Sequence, residues 1–284
     1  MTNLKEYNKD GDNMISFDIF GNGKKKAVTM SFDDGHVQDI KLIEIFNKYG
    51  IKGTFHLNSK LFGTTSTLSG RVRLDEDRIK EVYEGHEVAC HGTVHDTMTQ
   101  LPVQNMTIDT IDDRRKLESL VGYPVRGMSY PNGEYDSRVI NALRACGIEY
   151  CRTVASNGRM FLPDDFLAWH PTCHYSKALD IAKSFVSNPR KGRLLYIWGH
   201  GFEVDESAYG WDYVEEMCKT LASNSEDIWF TTNIEIVDFV NAQRRLVISA
   251  DNKIVYNPSA IDVWFRADGV PYCVKGGETL VLDK

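Results

Sequence analysis

Ala27-Val28-Thr29-Met30-Ser31-Phe32-Asp33-Asp34-Gly35 is a short apolar run that ends on two adjacent carboxylates and a glycine, and a segment with apolar Ile40, Ile43 and Phe46 follows. This pattern predicts a buried strand, a turn and an amphipathic helix, with the carboxylates held where the strand stops. A second cluster, His91-Gly92-Thr93-Val94-His95, follows the strand-like Glu87-Val88-Ala89-Cys90. One carboxylate and two imidazoles suit a catalytic zinc site, three protein ligands with a fourth position open. The remaining carboxylate is then free to act as a base.

Outward from this stretch the strand and helix patterns alternate. Strands are expected near 28–32, 52–57, 88–90, 128–130, 148–154, 166–170, 194–198 and 228–231, and helices near 39–49, 75–85, 109–121, 137–146, 177–187 and 208–222. Asp136 is placed to cap one helix, and Gly50, Gly122 and Gly147 to end others. Seven or eight strand-helix units predict an α/β fold, a closed or nearly closed distorted barrel whose chemistry sits at the carboxyl ends of the strands. Asp33, Asp34, His91 and His200 all fall at such ends. We read residues 1–23 as an N-terminal segment, 24–243 as the barrel, and 244–284, with its short turn-punctuated runs, as a small antiparallel β extension.

Composition removes several alternatives. With 33 basic and 40 acidic residues the formal charge is −7, no electrostatic footprint for nucleic acid or an anionic membrane. Neither is expected as a partner. No apolar stretch approaches the roughly 20 residues a membrane span needs. The Met1–Tyr7 start has no apolar core of a secretion signal, so a cytoplasmic protein is expected. Six scattered cysteines, without ligand-type pair spacing, read as reduced and mostly buried thiols. A homo-oligomer, with the β extension contributing, stays open.

Taken together the motifs have a known likeness. Ser31-Phe32-Asp33-Asp34-Gly35 resembles the Thr-Phe-Asp-Asp-Gly motif of NodB-type polysaccharide deacetylases, carbohydrate esterase family 4; His91 to His95 resembles their His-x-x-x-His motif, and Leu195 to His200 their final Leu-x-Leu-x-His motif. The likeness spans about residues 24–240. It implies a NodB-like barrel in which Asp34, His91 and His95 hold the metal, Asp33 is the general base and His200 the general acid. Metal-activated water would attack the acetyl carbonyl of an N- or O-acetylated carbohydrate. Zinc suits two imidazoles and a carboxylate; cobalt, nickel and iron also fit.

Three departures from that pattern stand out. Ser129 occupies the place of the base-orienting arginine in Ser129-Tyr130-Pro131-Asn132-Gly133, and Asn132 that of a tyrosine. Arg126 is the nearest substitute, but a three-residue offset on a strand puts it on the opposite face. No acid sits beside Trp169 and His170 to orient the catalytic histidine; Glu203, Asp205 and Glu235 are the candidates. Trp198 stands where a small aliphatic residue lines the acetate pocket, and with Tyr130 it is counted among the substrate-contacting candidates. Gly199 and Gly201, flanking His200, suggest close backbone approach to a ligand. His56, His36 and His174 are weaker site candidates, and core packing competes with function at each tryptophan. Two other functions remain: hydrolysis of a small amide, imide or ureide, as in allantoinase-like barrels, and an inactive barrel that binds carbohydrate.

Overall fold

The computed structural model describes residues 14–282, so the Met1–Tyr7 stretch read for a secretion signal lies outside the described residues. Its strands are β1 Ile15–Ser16, β2 Lys26–Asp33, β3 Thr54–Leu57, β4 Glu87–Cys90, β5 Gly127–Ser129, β6 Tyr150–Arg152, β7 Cys173–His174, β8 Arg193–His200 and β9 Ile228–Phe230, followed by β10 Val247–Ile248, β11 Ile254–Tyr256, β12 Val263–Ala267, β13 Val270–Val274 and β14 Thr279–Val281. Its helices are α1 Asp39–Lys48, α2 Ile79–Val82, α3 Val103–Val121, α4 Ser137–Ala145, α5 Ala178–Ser187, α6 Gly201–Glu206, α7 Trp211–Ala222 and α8 Asn233–Arg244. None is long and apolar enough to cross a membrane among the described residues.

A curled parallel sheet runs β6-β5-β4-β3-β2-β8-β7, and β9 adds to the amino-terminal part of β2. Its two ends are brought together by one stretch of chain. Trp169 N–H donates to Cys151 O (3.0 Å), Thr153 N–H to Trp169 O (3.0 Å), and Thr172 N–H to Tyr196 O (2.8 Å). The turn from Trp169 to Thr172 therefore bonds to β6 on one side and β8 on the other, nearly closing the barrel.

β2 is buried along its whole length. Val28, Met30 and Phe32 join the outer core with Leu42, Ile43 and Phe46 of α1, and Phe32 meets Phe46 edge-on. The alternate residues Thr29, Ser31 and Asp33 take the inner face, as a period of two requires. Inside, Thr29 Oγ1 donates to Asn233 Oδ1 (2.8 Å), Asn233 Nδ2 donates to Tyr196 OH (2.6 Å), and Tyr150 OH donates to Glu87 (2.7 Å). The barrel interior is thus polar but paired, and it ends at Asp33.

Several expected elements are corrected. The run 166–170 is not a strand: Phe166–Ala168 is a 3₁₀ turn, because the Asp165 side chain accepts from Leu167 N–H and caps it. The short strand β7 replaces it. The helix expected over 75–85 is a 3₁₀ turn, Glu76–Arg78, plus the single turn α2, and α3 starts at Val103 rather than near 109, directly after Pro102. Between β6 and β7 there is no α-helix. After α8 the chain forms strands of two three-stranded antiparallel sheets, and β1 from before the barrel pairs with β12.

Candidate active site

Asp33 closes β2 and is 2% exposed, so its carboxylate must find partners inside the protein. Arg152 Nη2 donates to its Oδ2, Ser129 Oγ–H donates to its Oδ1 (3.1 Å), and His56 Nδ1 lies 3.1 Å from Oδ1. Burial pushes the Asp33 carboxyl up, but the Arg152 guanidinium, with His91 and His56, overrides it and holds Asp33 well below the usual carboxylate range. A charged acceptor is therefore stored at the mouth of the barrel.

Arg152 was not among the residues picked from sequence, although it answers the missing arginine. β5 and β6 are parallel neighbours in register, with Ser129 opposite Arg152. The guanidinium comes from the next strand over and reaches the carboxylate past the small Ser129 side chain. Arg126 has another role: its guanidinium makes two bonds to Asp238 (2.8 and 2.7 Å) and one to Glu149 (3.0 Å). It ties the start of β5 to α8 and lies outside the site.

Asp34 turns away from Asp33 because the chain leaves the strand there, at φ 82°. A left-handed conformation is costly for aspartate and marks a position held by its surroundings. Gly35 follows at φ 66°, and a Cβ there would lie 2.8 Å from Leu57 Cδ2. Asp34 Oδ1 is 4.0 Å from both His91 Nε2 and His95 Nε2, and the three ligand-type atoms lie within 4.8 Å of one another. His91 Nδ1 faces Ser129 O (2.9 Å) and Ser129 Oγ (2.7 Å). With Oγ–H spent on Asp33, both Ser129 oxygens accept, so Nδ1 carries the proton and Nε2 presents its lone pair to Asp34 and His95. Burial moves the His91 pKa down to about 4, so the ring is neutral at pH 7. Two imidazoles and a carboxylate are a donor set that suits a divalent transition ion, and these residues fit one.

The His91 loop is held from α3. Asp113 accepts from the N–H of Ser59 (3.0 Å) and of His91 (3.1 Å), and Asp109 accepts from Thr93 N–H (3.1 Å). Arg73 Nε donates to Asp34 O (3.1 Å), with Nη2 3.4 Å from Asp34 Oδ1. Arg71 makes a double bond pair to Glu206 of α6 (2.9 and 2.6 Å) and stacks on Phe202. The Ser59–Arg73 loop is thereby pinned to Asp34 and to α6.

His200 ends β8 opposite Asp33 in register, and its Nε2 is 3.9 Å from Asp33 Oδ2. Its other nitrogen, Nδ1, is 3.2 Å from Glu203 Oε2, and the same oxygen accepts from His200 N–H (3.0 Å) and pairs with His174 Nε2 (2.9 Å). Glu203 is thus the acid beside the histidine; Asp205 pairs instead with Trp211 and Gln38, and Glu235 with Lys52. Burial lowers the His200 pKa, but Glu203 and Asp33 outweigh it and the net shift is upward. Trp198 packs edge-on to His174 (5.1 Å) and His200 (5.8 Å), carries Arg152 on its face (4.5 Å), and donates to Ser156 Oγ (2.9 Å). It is half-buried beside both histidines.

The remaining candidates lie elsewhere. Trp169 and Tyr130 are buried, Tyr130 donating to Leu167 O (2.6 Å), and both serve packing. Asn132 is exposed and donates to Thr97 (2.8 Å). His170 bonds Thr153 (2.6 Å) beside a cavity of about 660 Å³ lined by Asn157, Arg159, Phe161 and Trp169, away from the metal-type ligands. The glycines beside His200 approach protein side chains: a Cβ on Gly199 would meet Tyr175 at 2.6 Å and one on Gly201 would collide with the Asp39 carboxyl. Cys90 packs in the outer core, and none of the cysteines is paired.

Residues 20–151 match the family model described as polysaccharide deacetylase. No curated protein matches the chain. Among solved structures the fold is similar to that of a Mycobacterium smegmatis protein described as a candidate polysaccharide deacetylase, at 16% identity and TM-score 0.59, covering 81% of this chain and 96% of that one. It is also similar to a family 4 acetyl xylan esterase from Clostridium thermocellum in complex with cobalt, at 18% identity and TM-score 0.50, over 76% and 92% of the two chains. A third likeness is to a carbohydrate esterase family 4 pseudoenzyme from Bacillus anthracis, at 15% identity and TM-score 0.52, over 75% and 66%. At these identities the likenesses establish the fold alone.

Proposed function

We propose, from the premise that residues 20–151 form a polysaccharide deacetylase domain of the NodB type, that the protein is a metal-dependent hydrolase that removes acetyl groups from an N- or O-acetylated carbohydrate. The observation that carries this reading is the convergence of Asp33, Asp34, His91, His95 and His200 at one end of the barrel from three separate strand ends. Asp34, His91 and His95 hold the ion, and zinc suits their donor atoms best. When bound, a divalent ion there supplies Lewis acidity toward water and the acetyl carbonyl.

The chain's own residues do the rest. Asp33 takes a proton from the attacking water at Oδ2, the oxygen that faces the ligand histidine His91 and His200. Arg152 and Ser129 keep that carboxylate aimed and charged. His200, oriented by Glu203, delivers a proton from Nε2 to the departing nitrogen or oxygen, and acetate and the free amine or alcohol leave. Trp198 offers a flat apolar face for a sugar ring. The catalytic body is residues 24–243, and residues 244–284 with β1 are an appended unit.

Acetate release from a panel of acetylated oligosaccharides, after reconstitution with Zn²⁺ or Co²⁺, tests the reaction. Ureide hydrolysis would yield product without acetate, and a binding-only barrel would yield neither. His91→Ala and His95→Ala are each expected to empty this metal site and abolish turnover; a tight equivalent retained by either variant at low Zn²⁺, measured by elemental analysis, would refute the ligand assignment.

A further inference from the structure

We propose that His174, Glu203 and His200 form a second divalent-cation site, and that an ion there switches the enzyme off; the inhibitory half of this inference rests on the hydrolase reading above. The site shares no ligand with the Asp34, His91 and His95 set. Its three ligand-type atoms lie within 4.8 Å of one another, with Glu203 Oε2 2.9 Å from His174 Nε2 and 3.2 Å from His200 Nδ1. Zinc bonds of about 2.0–2.1 Å in tetrahedral array set ligand atoms roughly 3.3 Å apart. The trio therefore needs little movement to enclose an ion.

Two further features single out this trio. His200 Nδ1 is buried and, despite its closeness to Glu203, has no hydrogen bond of proper geometry, so a nitrogen with a lone pair or proton to place is aimed into the cluster. His174 Nδ1 is tied to Ser176, accepting from its backbone N–H (3.5 Å) with Oγ at 2.9 Å, and this fixes the ring with Nε2 directed at Glu203 Oε2 (2.9 Å). All three side chains are only partly buried, and His174 and Glu203 line a cleft of about 340 Å³ together with Tyr175 and Phe202. Two imidazoles with a glutamate and an open position form a zinc ligand set.

The consequence follows from which nitrogen is used. An ion on His200 Nδ1 occupies the position of the imidazolium proton and takes Glu203 from its orienting role. His200 then has no readily released proton for the leaving group.

The test is metal stoichiometry alongside rate under rising Zn²⁺. Wild-type protein is expected to bind two equivalents under excess Zn²⁺ and to lose activity as the second fills. His174→Asn and Glu203→Gln should each bind one equivalent, and the residual rate of His174→Asn should no longer fall with added Zn²⁺. His91→Ala should bind one equivalent under excess Zn²⁺ and lose it when combined with His174→Asn. A His91→Ala protein that binds none overturns this second site whatever the state of the first. A second equivalent that survives both His174→Asn and Glu203→Gln overturns it as well. Failure of the first assignment shows differently, as a tight equivalent retained by His91→Ala at low Zn²⁺.

Discussion

Arg152→Ala is expected to destabilise the protein by about 3–5 kcal/mol, the cost of leaving one partner of a buried ion pair uncompensated. Both groups are out of solvent, Arg152 at 0% and Asp33 at 2% exposed, so water cannot replace the lost partner. Turnover should fall by about 10² or more at temperatures where the variant is folded, since an unaimed base loses much of the roughly 10²–10⁴-fold contribution of positioned proton transfer. Arg152→Lys keeps the charge without the planar fork and should recover only part of both losses. The stronger control moves the group: because Ser129 and Arg152 face each other across β5 and β6, the double change Ser129→Arg with Arg152→Ser should restore activity at least tenfold over Arg152→Ala. Denaturant unfolding together with kcat measures all four proteins. A cost under 1 kcal/mol with unchanged kcat would show that Arg152 neither neutralises nor aims Asp33.

Asp33→Asn is expected to lower kcat by about 10²–10⁴-fold, the range of general-base contributions, while metal bound at low Zn²⁺ stays near one equivalent. Distance alone does not separate the two aspartates, since His91 Nε2 is 3.9 Å from Asp33 Oδ2 and 4.0 Å from Asp34 Oδ1. Hydrogen bonding is what favours the proposed division. Asp33 spends its oxygens on Arg152, Ser129 and His56, whereas Asp34 faces both ligand imidazoles. Loss of metal together with activity in Asp33→Asn would reverse that assignment. This variant also strands the Arg152 charge, so its stability loss should overlap that of Arg152→Ala, and the double mutant should be far less than additive, as directly coupled partners require.

Much of the fold was legible because β2 and its followers carry their instructions locally. The apolar run 27–32 has to be buried, the periodic segment after Gly35 has to be a helix, and strand-helix alternation leads to a parallel sheet. Failures came where local signals were weak or misleading. The run 166–170 has strand-like composition, but Asp165 caps it into a 3₁₀ turn, and the bonds that nearly close the barrel come from the backbone at Trp169 and Thr172, which no side-chain pattern advertises. His56 is a weak candidate on sequence because ending a strand says nothing about what lies across it; in the fold its Nδ1 sits 3.1 Å from Asp33 Oδ1. His174, likewise a weaker candidate on sequence, shares Glu203 with His200.

What the amino-acid sequence determined alone was the set of groups at strand ends: Asp33 and Asp34 after β2, His91 and His95 after β4, and His200 after β8, since each lies at a break in hydrophobic patterning. What only the tertiary structure decided was which group serves which. Arg152 reaches Asp33, Ser129 joins Asp33 to His91, and Glu203 joins His200 to His174. The physical reason is range. Periodicity and turn chemistry act over a few residues along the chain, whereas a buried carboxylate takes whatever donor the neighbouring strand brings within about 3 Å, and that depends on register between strands over a hundred residues apart.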